Sequence, residues 1–383
     1  MNIRMVDTIG QYQRIQQEVD QKVQEVIRSG IYINGPVVQA FNQQLADFLQ
    51  VPRVISCANG TDALQVALMA LDLEPGDEVL TPSFTYVATV EVIVLLGLVP
   101  VFVEVEPDTF NMDPDDLEAK ISDRTRVIIP VHLFGQAANM APIMEVARQH
   151  GLKVIEDTAQ AIGATYTFPD GTTQYAGTIG DIGTTSFYPS KNLGAYGDGG
   201  AIFTRNEELG EKIHMMCNHG SRKRYIHESI GVNSRLDAIQ AAILSVKLKH
   251  LPAYNEARRA AADRYDEMLQ DVPGLTVPFR APYSQHVFHQ YTLLVEAGRT
   301  TRDQLKEFMG KQGIPTMIYY PLAIHQQKAY QTYAPGATEL ALSERLTAHV
   351  FSLPMHSELD GKQQQYITDH LRRAIELHSP EMT

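Results

Sequence analysis

A regular alternation of short apolar runs with amphipathic segments, between about residues 53 and 157, constrains the fold of this chain most strongly. The apolar runs predict strands at Arg53–Cys57, Glu78–Thr81, Val99–Glu104, Val127–His132 and Lys153–Asp157. The segments between them predict one helix opening near Asn59 and others over Tyr86–Leu96, Pro114–Ile121 and Ala141–His150. This alternation implies βαβ units, and therefore a mostly parallel sheet covered by helices on both faces. Ligands of such sheets bind at the carboxyl ends of the strands.

The rest of the chain predicts longer helices and a second, smaller unit. Apolar residues recur at helical spacing over residues 12–27, Ser234–Leu251 and Ala253–Leu269, and Pro252 should end the second of these helices. The glycine-rich segment 194–200 leads into a predicted strand at Ala201–Thr204. We expect an α/β chain with a large domain over residues 1–250 and a small C-terminal α+β domain over residues 251–383.

Composition excludes several classes of partner. The 383 residues carry a formal net charge of −13, which repels nucleic acid and anionic lipid. The only two cysteines, Cys57 and Cys217, are far apart in sequence and have no nearby metal-ligand partners, which argues against a disulfide framework or a metal site. The most apolar stretch, Val92–Val103, is too short and too interrupted to span a bilayer, and no secretory signal is visible. We therefore expect a cytoplasmic protein.

The segment that opens the first helix after the first predicted strand is a candidate anion site. Gly60, Thr61 and Asp62 would lie where a helix presents free N–H groups and the positive end of its dipole. Asn59 and its neighbours are also ordinary capping residues, and capping alone would explain them. The segment is neither a Walker loop nor a dinucleotide fingerprint.

Two acidic residues end the last predicted strand of the alternation. Asp157 could cap the next helix, or it could hold a pyridinium nitrogen protonated, which makes pyridoxal phosphate (PLP) an electron sink. Gln160 follows one helical turn later and could reach a second ring substituent. Glu156 points to the opposite face of the strand and should lie outside any site that Asp157 shares.

Lys191 lies between an apolar, hydroxyl-bearing run and the glycine-rich segment 194–200. A single lysine is usually a solvated surface charge, but burial would lower its pKa and free the amine to attack a carbonyl. Ser186, five residues earlier, could donate its hydroxyl to a phosphate. The glycines could let the backbone fold closely around a planar cofactor.

These features occur together in an order typical of one family. The segments that carry the resemblance are Asn59–Leu64, Thr81–Thr89, Glu156–Gln160, Ser186–Gly200 and Asn233–Ala242. The chain resembles the DegT/DnrJ/StrS family of PLP-dependent sugar aminotransferases over nearly its whole length, from about Tyr32 to Pro354. The resemblance implies the fold-type-I aminotransferase architecture, PLP as cofactor, and a homodimer whose active sites lie at the subunit interface.

The resemblance also assigns roles to individual residues. It implies that Lys191 is the Schiff-base lysine and proton shuttle, Asp157 the pyridinium partner and Gln160 the residue near the ring hydroxyl. Relatives that dehydrate sugars have histidine in place of this lysine, so Lys191 favours transamination. Thr158 replaces the more usual alanine, a small departure.

Further roles concern the phosphate and the ring of the cofactor. The resemblance implies phosphate contacts from Thr61, the backbone around Asp62, and Ser186, with Asn233 reaching the phosphate from the other subunit. Tyr86 matches the aromatic residue that stacks on the cofactor ring, although core packing is the more usual fate of such a tyrosine.

The identity of the substrate is less constrained. The segment His219–Tyr225 is locally basic and, with Arg235, could meet a diphosphate or a uronate carboxylate, although a solvated charged loop explains Arg222–Arg224 equally well. Tyr319, Tyr320 and His325 match the substrate-facing segment of the family, with a packed tyrosine and a surface histidine as alternatives.

The strings Val232–Asp237 and Ser186–Gly200 are most similar to the branch that acts on UDP-2-acetamido-3-keto-glucuronic acid, with L-glutamate as amino donor, for bacterial surface polysaccharide (O-antigen) synthesis. The alternatives are another UDP- or dTDP-linked 3-keto or 4-keto hexose, or a PLP-binding regulator without transaminase activity. A nucleotide-dependent dehydrogenase lacks its fingerprint.

Overall fold

A computed structural model of the protein describes residues 3–296, 299–333 and 340–378. Its helices are α1 (Thr8–Ser29), α2 (Pro36–Leu49), α3 (Gly60–Met69), α4 (Ala88–Leu95), α5 (Pro114–Ala119), α6 (Met140–His150), α7 (Glu207–Cys217), α8 (Ala238–Leu269), α9 (Arg299–Lys311), α10 (Ala341–His349) and α11 (Gly361–His378). Its strands are β1 (Arg53–Cys57), β2 (Glu78–Pro82), β3 (Val99–Val103), β4 (Thr125–Ile128), β5 (Lys153–Asp157), β6 (Thr165–Thr167), β7 (Thr173–Tyr175), β8 (Ile182–Ser186), β9 (Gly200–Thr204), β10 (Leu275–Thr276), β11 (Ser284–Gln285), β12 (Tyr291–Val295) and β13 (Val350–Leu353). Every helix among the described residues is too short or too polar to span a bilayer.

Seven strands form a central sheet in the order β1-β9-β8-β5-β4-β2-β3. Strand β9 is antiparallel to both of its neighbours, whereas β8, β5, β4, β2 and β3 pair in parallel. This mixed, mostly parallel sheet confirms the predicted α/β fold class. Two further three-stranded sheets, β10-β12-β13 and β11-β6-β7, lie outside it.

Helices cover both faces of the central sheet because successive strand residues point in opposite directions. In β2, Val79 packs with α3, α4 and α7, whereas its neighbour Leu80 packs with α5 and α6. In β5, Ile155 packs in the same cluster as Val79, and its neighbour Val154 packs in the same cluster as Leu80. Helices α2 and α8 cover the β1 and β9 side of the second face. The parallel strands β8, β5, β4, β2 and β3 therefore place their carboxyl ends along one edge of the sheet.

The prediction that a helix ends at Pro252 is wrong, because α8 runs unbroken from Ala238 to Leu269. Proline removes the N–H that would bond to the Leu248 carbonyl, which destabilises a helix interior. Here packing on both sides of Pro252 outweighs that loss. The first half of α8 is buried against the sheet, whereas Tyr265 and its neighbours join the C-terminal core.

The C-terminal residues form their own apolar core from β12, β13, α9, α11 and the end of α8. Ile3, at the other end of the chain, also belongs to this core, and the Met355 amide donates to the Met5 carbonyl at 3.2 Å. The long helix α8 contributes to both cores, so a boundary between residues 250 and 251 stays our proposal. Helix α2, which the sequence reading missed, buries Val38, Phe41, Leu45 and Leu49 at helical spacing.

Candidate active site

A cavity of about 780 Å³ opens at the carboxyl edge of the central sheet. Ten of the thirteen residues predicted for the site line this one cavity: Gly60, Thr61, Asp62, Tyr86, Asp157, Gln160, Ser186, Lys191, Tyr319 and Tyr320. They come from distant parts of the sequence and meet because the strands that precede most of them end at the same edge of the sheet.

One corner of the cavity is formed by the start of α3 and the end of β8. The Asn59 side chain accepts from the Asp62 amide at 2.8 Å, so the capping interpretation is confirmed for Asn59. The amides of Gly60 and Thr61 head the helix, where no intrahelical acceptor exists for them. A Cβ atom at Gly60 would lie 2.6 Å from the Ser186 Cβ, so only glycine permits this close approach. The corner therefore has the donors and the space that an anion requires.

Asp157 is buried at the end of β5, only 5% exposed. One carboxylate oxygen accepts from the Thr89 hydroxyl at 3.0 Å, and the other accepts from the Ala159 amide at 3.0 Å. These two donors fix the orientation of the carboxylate at the cavity wall.

Glu156 lies on the opposite side of the same strand and outside the cavity lining, as its alternation predicted. Its carboxylate is fully buried and accepts from His132 Nε2 at 2.9 Å and from the amides of Gly177, Ile179 and Gly180 at 2.6–2.7 Å. Four donors compensate the burial of this charge. Glu156 thus fastens the segment between β7 and β8 to the sheet.

Lys191 lies in the connection between β8 and β9, and its amide donates to the Tyr188 carbonyl at 2.8 Å. Its turn is held by two residues of α8 and by the segment before β12. The Asn192 side chain donates to Asn255 of α8 at 2.8 Å and to the Val287 carbonyl at 2.9 Å, and Lys247 of α8 donates to the Gly194 carbonyl. Burial lowers the pKa of Lys191 to about 8, against the opposing attraction of the Asp157 carboxylate. A substantial fraction of the amine is therefore neutral near physiological pH, as a nucleophile requires.

Gln160 connects two walls of the cavity. Its amide oxygen accepts from the Phe134 amide at 2.7 Å, and its amide nitrogen donates to the Tyr320 hydroxyl at 2.9 Å. Tyr86 lines the cavity with 57% of its surface exposed, and its ring centroid lies 6.3 Å from that of Tyr320. A ring this exposed is not core-packed, so it is free to stack on a planar ligand.

Three predicted residues lie outside the cavity lining. Asn233 is exposed and Arg235 is half-buried, in the segment that precedes α8. His325 is buried rather than on the surface: Nδ1 is bonded to the Ser83 hydroxyl at 2.7 Å and Nε2 to Glu344 at 3.0 Å. With both ring nitrogens engaged, its placement favours a structural role, and its sugar contact stays a prediction.

Several cavity residues were absent from the sequence prediction. Thr85, His289 and Gln290 line the cavity, are more than nine-tenths buried, and each has an enclosed polar atom without a partner among the described residues. Thr85 lies in a segment that carried the family resemblance. His289 and Gln290 precede a predicted strand of the small domain, and nothing in their local pattern marks them.

The described residues fit PLP in three independent respects. The glycine corner at Gly60 and Ser186 suits a phosphate, the oriented Asp157 carboxylate suits a pyridinium nitrogen, and Lys191 supplies a partly neutral buried amine. Several polar atoms in the cavity wall have no partner among the described residues, so a ligand or ordered water is expected to complete the site.

Comparison with known proteins also indicates a PLP-dependent aminotransferase. The sequence profile of the DegT/DnrJ/EryC1/StrS aminotransferase family matches residues 13–372. The chain is 43% identical to the pleiotropic regulatory protein of Geobacillus stearothermophilus, with 97% of this chain and 98% of the relative covered. It is 43% identical to the UDP-2-acetamido-2-deoxy-3-oxo-D-glucuronate aminotransferase of Pseudomonas aeruginosa, over 94% of this chain and 96% of the relative. It is 42% identical to a UDP-N-acetyl-3-dehydro-alpha-D-glucosamine 3-aminotransferase of Acidithiobacillus ferrooxidans, over 97% and 98%.

Solved structures agree with the sequence comparison. The crystal structure of DesV of S. venezuelae in complex with a ketimine intermediate superposes with a TM-score of 0.92 at 38% identity. The match covers 97% of this chain and 98% of that chain.

Proposed function

The chain belongs to the DegT/DnrJ/EryC1/StrS aminotransferase family, and we propose that it transfers an amino group from L-glutamate to C3 of UDP-2-acetamido-2-deoxy-3-keto-glucuronic acid. The broader statement is established by the family: the protein is a PLP-dependent transaminase that acts on nucleotide-linked sugars. We propose three further details: the identity of the sugar, the carbon that is aminated and the amino donor.

Bound PLP supplies a carbonyl that amines condense with and an electron sink for the carbanion that forms beside the nitrogen. Lys191 would hold the cofactor covalently, and its Nζ would then carry the proton that moves during the exchange. The lowered pKa of Lys191, about 8, suits this role because the amine can accept and return a proton near neutral pH. Asp157, fixed by Thr89 and Ala159, would keep a proton on the pyridinium nitrogen.

The position of amination is supported by the names of two relatives. The P. aeruginosa and A. ferrooxidans proteins are named for UDP-linked sugars with the keto group at C3. They differ in the sugar itself, a glucuronate in one and a glucosamine in the other. We favour the glucuronate because the strings around Arg235 and Lys191 resemble that branch.

The charges of the cavity support a homodimer with shared sites. Its described lining includes three carboxylates, Asp62, Asp157 and Asp198, but among these lining residues Lys191 is the only lysine and there is no arginine. A diphosphate or a uronate therefore needs cations from elsewhere. The exposed basic residues Arg222–Arg224, together with Asn233 and Arg235, are suitable donors from a second copy of the chain.

We further propose that the enzyme works in the cytoplasm, for bacterial surface polysaccharide synthesis.

Two half-reactions followed by absorbance test this proposal. L-Glutamate should bleach the yellow colour of the holoenzyme, and UDP-2-acetamido-3-keto-glucuronic acid should restore it. Restoration only by a dTDP-linked 4-keto hexose would redirect the proposal to a different sugar. The G. stearothermophilus relative is named as a regulatory protein; a holoenzyme that neither L-glutamate nor any of these ketosugars alters would count against both the donor and the sugar proposed here.

A further inference from the structure

We propose that His289 and Gln290 form a subsite that binds hydroxyl groups of the hexose ring in the substrate. This inference rests on the proposed function, because it assumes that the cavity receives a nucleotide-linked sugar. It assigns a ligand to two residues whose sequence context did not predict a role.

The first observation is that both residues line the cavity and that each has an enclosed polar atom without a partner among the described residues. His289 is 7% exposed and Gln290 is 8% exposed, and both line the cavity. His289 Nδ1 and Gln290 Oε1 are enclosed and have no hydrogen-bond partner among the described residues. Buried polar atoms in folded proteins are almost always paired, so a ligand or ordered water is expected to complete these two.

The second observation is their position beside the predicted substrate contacts. The Gln290 backbone N–H donates to the Phe134 carbonyl at 3.3 Å, and the Phe134 backbone N–H donates to the Gln160 side-chain oxygen at 2.7 Å. Gln160 in turn donates to the Tyr320 hydroxyl at 2.9 Å. Burial raises the pKa of Tyr319, and a side-chain interaction with Gln290 opposes that rise. Gln290 therefore lies on the same side of the cavity as Tyr319 and Tyr320.

The third observation is that the backbone of this wall is rigidly held. The buried Arg258 guanidinium donates to the carbonyls of Phe288, His289 and Met355 at 3.0–3.2 Å. Gly135, at a φ of +106°, also packs closely on this segment, because a Cβ atom there would come within 2.9 Å of the His289 backbone nitrogen. Groups held in this way are suited to positioning a ligand, because little conformational freedom is lost on binding.

The chemistry of the pair selects the class of ligand group. Burial, followed by the nearby charges of Lys191 and Arg258, holds the pKa of His289 well below its usual range. A neutral imidazole and a neutral amide carry both donors and acceptors but no charge. They match hydroxyl groups, which also donate and accept, better than they match a phosphate or a carboxylate. The hexose ring is the part of a nucleotide-linked sugar that offers several hydroxyls.

The test is a calorimetric titration of the holoenzyme with two stable probes, UDP and UDP-N-acetylglucosamine. The difference between them isolates the hexose. Gln290→Met keeps the side-chain length and removes the amide, so it should weaken UDP-N-acetylglucosamine binding about tenfold and leave UDP binding unchanged. Gln326→Met is a matched control, because the Gln326 side-chain oxygen is also enclosed without a partner among the residues that the structure describes, but Gln326 lies outside the cavity lining. This control should alter neither affinity.

His289→Leu is a second variant with the same expected selectivity, in case Gln290→Met does not fold. The PLP absorbance spectrum and the melting temperature should match those of the wild type in each folded variant. Unchanged affinity for UDP-N-acetylglucosamine in both variants, or an equal loss of both probes, would overturn the subsite. A wild-type holoenzyme that binds neither probe would instead count against the UDP-sugar function itself, before any variant is compared.

Discussion

The neighbouring acidic residues Glu156 and Asp157 should respond to substitution in opposite ways. Each oxygen of the Glu156 carboxylate accepts two hydrogen bonds. Oε1 accepts from the amides of Ile179 and Gly180, and Oε2 accepts from the His132 ring and the Gly177 amide. In Glu156→Gln one of these oxygens becomes an NH₂ group, so two buried donors lose their acceptor. Each unsatisfied buried donor costs about 1–3 kcal/mol, and breaking a buried charged network costs about 3–5 kcal/mol.

We therefore expect Glu156→Gln to lower the melting temperature by roughly 6–10 °C, taking about 2 °C per kcal/mol for a chain of this size. Asp157→Asn loses less, because its two donors are one amide and the Thr89 hydroxyl, which can rotate to accept from the new NH₂ group. It should instead reduce the amination rate by about 10²–10³-fold, the range for removing a preorganised polar group from an active site.

The assay compares both variants and the wild type by thermal scanning at one scan rate and by amination rate at a temperature where all three are folded. A Glu156→Gln variant that kept the wild-type melting temperature while losing activity would contradict this expectation. So would an Asp157→Asn variant that lost stability but retained the wild-type rate. Either outcome would mean that strand alternation had assigned the two carboxylates to the wrong sides.

Three further outcomes are expected. In cofactor-free protein, labelling of Lys191 by an amine-reactive reagent should be half-maximal near pH 8 and should decrease at lower pH, because burial lowers the pKa of Lys191 to about 8. Peptide mass spectrometry measures the labelling, with the exposed Lys249 as reference, and a midpoint near the ordinary lysine pKa of about 10.4 would contradict the expectation. Tyr86→Ala should weaken PLP binding about tenfold in an absorbance titration, through loss of a stacking surface, with no drop in melting temperature since the ring is exposed in the chain; unchanged affinity would argue against stacking. Pro252→Ala should raise the melting temperature by roughly 2–6 °C. Position 252 is exposed within α8, and the alanine N–H would donate to the Leu248 carbonyl, a gain of about 1–3 kcal/mol in the free energy of unfolding; a lower melting temperature would show that the proline is needed there.

The sequence predicts those features that depend on local periodicity. The alternation of strands and helices predicts the parallel part of the sheet, and the alternation within β5 separates Asp157 from Glu156. Helix α8 shows the limit, because Pro252 is a strong local stop signal that packing on both sides overrides. Local sequence contains no measure of that packing.

Some residues of the site could be predicted from local sequence and others could not. Gly60, Asp157, Ser186 and Lys191 could be predicted because each lies next to a strand end or in a motif that resembles the family. His289 and Gln290 could not, since they enter the cavity only through the way the C-terminal core is placed against the sheet. The partners of His325, Ser83 and Glu344, could not be predicted either, because they lie far from it in the sequence and meet it only in the fold.

Transfer of labelled nitrogen tests the central proposal most directly. The holoenzyme is incubated with nitrogen-15-labelled L-glutamate and, in separate reactions, UDP-2-acetamido-3-keto-glucuronic acid, UDP-N-acetyl-3-keto-glucosamine and a dTDP-linked 4-keto hexose, and the products are analysed by mass spectrometry and NMR. We predict that the label appears at C3 of the UDP-linked glucuronate, most rapidly among the three acceptors, and that Lys191→Ala abolishes the transfer. Label that reaches only another sugar, or that reaches C3 with Lys191→Ala as fast as with the wild type, would contradict the account.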